Sequence, residues 1–170
     1  MSGGSEGAAP SDGEGFWRFS LAFYARPGTA SALLALQDDA GCDVNRLLFA
    51  MWCGAARGHR LAPAELAAAE AAMAGASAAS VAPLRQLRRR LRSDPAEDAQ
   101  ALGRRIGAVE LAAERRVQYR LAAAVPPPDR PAPDRFDAAT ENLNLALGIA
   151  MASAPAATLR AAMAEFLQRS

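Results

Sequence analysis

Residues 44–56, VNRLLFAMWCGAA, are apolar around nearly the whole circumference of a helix, at Val44, Leu47, Leu48, Phe49, Met51 and Trp52. A helix of that kind must be covered on every side, so the segment is expected to be the central rod of a fold. It is too short, and too interrupted by Asn45 and Arg46, to cross a bilayer. The rest of the chain therefore has to supply elements that surround it.

Those elements read as helices. FWRFSLAFYA places Phe16, Phe19 and Phe23 at helical spacing, and Arg26-Pro27-Gly28 ends the run. A second helix is expected from about Pro27 to Asp39, stopped at Ala40-Gly41, with Asp43 as N-cap of the central rod. Arg57-Gly58-His59-Arg60 closes the rod with glycine and positive charge. Further helices are expected over 63–74, with a break at Gly75 to Ser77, and from about Ser80, with Leu84, Leu87 and Leu91 as a narrow stripe among arginines. Ser93-Asp94-Pro95-Ala96-Glu97 reads as the next start, with Asp94 as N-cap and Pro95 at the first position. That helix runs to about Ala123 on Leu102, Ile106, Val109, Ala113, Val117 and Leu121, weakened or brought close to a neighbour by Gly103 and Gly107. VPPPDRPAP, residues 125–133, is an extended connector, and helices over 134–152 and 155–168 follow.

No alternating strand pattern and no repeat appears, so the fold class is all-α: a single compact multi-helix bundle of about seven or eight helices, with its buried central helix near 44–56. Residues 1–14, polar and Gly-rich, are expected to be a disordered tail. Residues 15–124 form the helical core, 125–134 the connector, and 135–170 a C-terminal helical pair packing on that core.

Composition enters through charge. Every basic side chain is arginine, which with the alanine excess fits a GC-rich genome, and the net charge of +1 argues against a wholly basic nucleic-acid protein. The distribution is uneven. Residues 85–121 carry a local balance of +5 and the remainder −4, which points to a partner of opposite charge. Cys42 and Cys53 lie in or beside apolar helical sequence with no redox or disulfide pattern, and the first residues lack a secretory pattern. The expectation is a cytoplasmic protein with no membrane span and no cofactor.

At FWRFSLAFYARPG, LLALQDDAGCDVNRLLFAMW and PLRQLRRRL the chain resembles a proteobacterial family of small, uncharacterised, all-helical proteins, a domain of unknown function. The resemblance covers roughly residues 16–119. It implies a fold group and no reaction, and it carries over no catalytic residue.

Three local features compete as sites. The first is the aspartate cluster Asp38, Asp39 and Asp43, whose D-D-x-x-x-D spacing loosely matches the Mg²⁺-binding motif of helical isoprenoid-diphosphate enzymes. Such enzymes need a second facing acidic motif, and Glu110 with Glu114 is the nearest substitute. The structural reading is favoured: Asp43 caps, while Asp38 and Asp39, placed at a helix C-terminus where carboxylates are disfavoured, pair with arginine. The second is RQLRRRLR, where Arg85, Arg88, Arg89 and Arg92, joined by Arg104 and Arg105, offer a cationic face to an acidic protein partner or, as an alternative, to nucleic acid. A solvated helix face is its plain reading. The third is Trp17 and Trp52, read as core before ligand pocket. His59, the sole histidine, has no nucleophile motif beside it, and a pairing with Cys53 is unmotivated. The leading expectation is a non-enzymatic interaction protein with an arginine-rich face. A Mg-dependent diphosphate or isoprenoid-binding protein comes last.

Overall fold

The apolar segment is helix α3, Val44–Ala55, and every residue from Leu47 to Ala55 is buried. Asp43 is its N-cap: the carboxylate accepts the Arg46 backbone N–H at 3.0 Å. This computed structural model describes residues 12–168. The other helices are α1 (Asp12–Tyr24), α2 (Thr29–Ala40), α4 (Pro63–Ala76), α5 (Ala82–Ser93), α6 (Glu97–Ala124), α7 (Arg135–Leu147) and α8 (Ala154–Gln168), of which α1, α2, α6 and α7 pack on α3. No strand occurs among the described residues, and no helix there is long and apolar enough to cross a membrane.

The most extensive packing is α3 on α7. It is close because Gly54 sits against the backbone of Ala138 and Ala139, leaving no room for a Cβ. The C-terminal pair is thus built into the core, with Leu143, Leu147, Leu159 and Met163 in the same apolar cluster as Leu47 and Phe49. Phe16 of α1 stacks on Trp52 at 5.1 Å and meets Phe49 edge-on at 5.7 Å. Phe19 and Phe23 hold Phe166 of α8 edge-to-face at 5.3 and 5.9 Å.

Buried polar groups tie these helices to the connections between them. Asn142 accepts the Leu61 N–H and donates to the carbonyls of Ala50 and His59. Arg57, over the Trp52 ring at 4.2 Å, donates to the Ala122 and Val125 carbonyls at the end of α6 and pairs with Asp12. The Pro-rich connector is pinned, since the Ala132 N–H donates to the Gly58 carbonyl at 2.8 Å and Arg135 donates to the Ala56 carbonyl.

Several expectations change on folding. The tail expected over 1–14 is already helix from Asp12, and its earlier part lies outside the described residues. Glu14 anchors this first turn of α1, taking hydrogen bonds from Tyr119 and Arg115 of α6 at 2.6 Å each, and from Arg18. Pro27 does not start α2, because Gly28 adopts a left-handed φ of 79° and delays the helix to Thr29. Gly75 to Ser77 is no break. A π turn over Ser77–Val81 carries α4 straight into α5. Asp94 caps no helix of its own; it accepts the Ala96 N–H, and Ala96 becomes the N-cap of α6.

These contacts set the charge of Glu14. Hydrogen bonds from Tyr119, Arg115 and Arg18 lower its pKa from 4.5 to about 2. A carboxylate with a depressed native pKa adds stability above its unfolded value, and that stability is lost as pH falls from about 4.5 toward 2. Urea midpoints at pH 7 and pH 3 check this: wild type is expected to lose more between them than Glu14→Gln does.

Candidate functional site

Helix α5 has no buried residue. It packs on α6 and the π turn, so these helices form an antiparallel hairpin whose far half stands away from the core. The hairpin is tight because Gly103 and Gly107 face Leu91 and Arg88, where an added Cβ would approach within 3.3 Å. Here the expected stripe along α6 divides. Val117 and Leu121 are buried, whereas Leu102 and Val109 are about half exposed because α5 covers only the opposite face.

Between the hairpin and α1–α2 lies an open groove of about 1020 Å³. One wall is cationic, made by Arg85, Arg88, Arg89, Arg92 and Arg104. The other presents Leu21 and Leu34, both close to half exposed, with Trp17 and Tyr24 alongside. Gln100 and Gln118 both line it, and they are separated by about 27 Å of α6 at a helical rise of about 1.5 Å per residue.

The arginines do two different jobs. Arg85 donates to Glu110 at 3.1 Å and to Glu114 at 2.8 Å, and Arg88 grips Glu110 with two N–H groups. Burial pushes Glu110 toward protonation, but the Arg88 and Arg85 guanidiniums outweigh it and hold the carboxyl below its ordinary value. Glu114 goes the other way: burial raises it, and Arg85, with the more distant Arg88, does not compensate. Burial, then the Glu114 charge, raises the Tyr24 phenol. Arg89, Arg92 and Arg104 meet no carboxylate among the described residues and leave their N–H groups to the groove. Arg105, expected with them, is exposed and is not part of the groove wall.

The aspartate cluster does not converge. Asp43 is spent on its cap, and among the described residues Asp38 and Asp39 are exposed without the arginine partners expected for them; Asp38 accepts from the Gln37 amide at 3.5 Å. The exposed end of α2 leaves their charge to water, which meets the cost at a helix C-terminus without an ion pair. Among the described residues, no three His, Cys, Asp or Glu side chains gather as a metal would need. Glu110 and Glu114, the nearest substitute for a second acidic motif, face arginines instead of the aspartates.

His59 is buried with Nε2 on Glu65, whose carboxylate also takes the Ala62 N–H that opens α4. Burial pushes the Cys53 thiol up to about 12, so it stays protonated and inert at neutral pH. Trp52 belongs to the core, whereas Trp17 lies at the groove rim beneath Arg115, 5.8 Å from its ring. The apolar half of the groove escaped sequence reading. Leu21 and Leu34 sit beside the core stripes of α1 and α2, and their being off those stripes was the only available signal.

The family model described as "Protein of unknown function (DUF2390)" matches residues 15–121, a span that contains both groove walls. No curated protein and no solved structure matches the chain.

Proposed function

From the premise that the chain belongs to the DUF2390 family, of unknown function, we propose that it is an interaction protein whose groove receives an acidic, amphipathic helix of a partner protein. One observation carries this reading. Three guanidiniums that meet no carboxylate among the described residues, Arg89, Arg92 and Arg104, border a groove whose other wall exposes Leu21 and Leu34. A helix with carboxylates along one side and leucines along the other would satisfy both walls. The length of the groove favours an extended occupant over a small molecule. Arg85 and Arg88, already neutralised, would hold the cationic wall in place while the other three meet the partner.

Fluorescence anisotropy with a labelled Glu/Leu amphipathic helix tests the reading, beside a peptide of equal composition with its faces scrambled. Three exposed ion pairs at roughly 0.2–1 kcal/mol each predict about a tenfold loss for Arg89→Ser/Arg92→Ser/Arg104→Ser, and weaker binding as salt rises. Equal affinity for the scrambled peptide, or no change in the triple variant, overturns it.

Single-stranded nucleic acid is the second reading, favoured by Trp17 and Tyr24 beside the arginines. Saturable binding of a short oligonucleotide at physiological salt, lost in the same triple variant, would promote it over the peptide.

A further inference from the structure

A second trough, of about 620 Å³, runs along the other side of the hairpin between the π turn and α6. Its apolar part is built from Leu84, Val109, Ala112 and Ala113, and Val109 is 52% exposed although it belongs to the apolar periodicity of α6. The trough lies between helices, whose interior backbone groups are paired within each helix, and the Ser80 hydroxyl already donates to the Ala76 carbonyl at 2.7 Å. The apolar stretch therefore offers an occupant no directional polar contact. Polarity is confined to Arg116 and Arg120, four residues apart on α6, both exposed and neither meeting a carboxylate among the described residues. Val109 and Arg120 are about 16 Å apart along α6 at the helical rise.

We infer that this trough binds a single-chain anionic amphiphile of the fatty-acid class. Its carboxylate sits between Arg116 and Arg120, and its chain lies along Ala113 and Ala112 toward Val109 and Leu84. The match is one of charge and shape. Two guanidinium forks one helical turn apart suit a carboxylate. An alanine-lined furrow suits an unbranched chain, which unlike a peptide carries polarity at one end only. The site is on a different face of α6 from the groove proposed for the acidic helix, so either proposal can fail alone.

Isothermal titration with monomeric dodecanoate on the full chain tests the inference, with dodecanol and hexanoate as comparison ligands. Expected are one saturable site for dodecanoate, at least tenfold weaker binding in Arg116→Gln/Arg120→Gln, and a dodecanol affinity unchanged by that variant. Hexanoate should bind at least tenfold more weakly than dodecanoate. Ala112→Leu, a surface change that fills the trough, should weaken dodecanoate while leaving the acidic helix bound in the first groove. Absence of a saturable site, indifference to the arginine substitutions, or binding only to phosphatidylglycerol vesicles overturns the inference.

Discussion

Replacing Gly54 by alanine is expected to unseat α7 from α3 and lower stability by about 3 kcal/mol or more. The added methyl would fall on the backbone of Ala138 and Ala139, and backbone cannot swing aside as a side chain end can. The two helices must separate, and the gap reaches Leu143, Leu147 and the buried face of α3. Alanine is the better helix former by about 1 kcal/mol, which offsets only part of the loss. At about 2–4 °C per kcal/mol for a chain of this size, thermal unfolding followed by circular dichroism should show a fall of about 6–12 °C. Gly75→Ala is the matched comparison. It sits in a helix with open space around it, so it should gain up to about 1 kcal/mol. An equal response from the two variants would contradict the close approach of α3 and α7.

Asn142→Leu should cost a comparable amount. The side chain is almost wholly buried and is held by three hydrogen bonds, from the Leu61 N–H at 2.8 Å and to the His59 and Ala50 carbonyls at 2.7 and 3.1 Å. Leucine keeps the number and branching of the side-chain heavy atoms and removes all three. The Ala50 carbonyl lies in the interior of α3, where a helical bond remains available to it, but the Leu61 N–H and the His59 carbonyl lie outside any helix and are left without these partners. At roughly 1–3 kcal/mol for each of the two stranded groups, the loss is about 2–6 kcal/mol. Urea unfolding gives the number, and a change within 1 kcal/mol would show that the loop carries no such demand.

Sequence patterning made the inner part of the fold legible and lost its outer part. Asp43 and Gly41 act locally, on backbone within a few residues, so the end of α2 and the start of α3 could be read from residue type. The all-round apolar surface of α3 could likewise mean only burial. Leu102 and Val109 failed differently: periodicity shows that a stripe exists and says nothing of what covers it, and α5 packs on Gly103, Gly107 and Glu110 instead. The same gap in information hid the split among the arginines. Their density was plain in RQLRRRLR, yet which of them meet Glu110 and Glu114 depends on how α5 docks against α6. Asp38 and Asp39 show the converse, since a dipole argument for ion pairing has force only where solvent is excluded.

Helix α6 is one continuous rod with two unlike halves, sunk in the core near Val117 and Leu121 and covered beyond Gly107 by α5 on one face. Amide protons along it should accordingly exchange with deuterium on a gradient, the outer turns opening in local excursions and the inner ones only when the whole molecule unfolds. An occupant of the first groove, which reaches Gln100, Gly103 and Arg104, would then announce itself as slowed exchange in those outer turns.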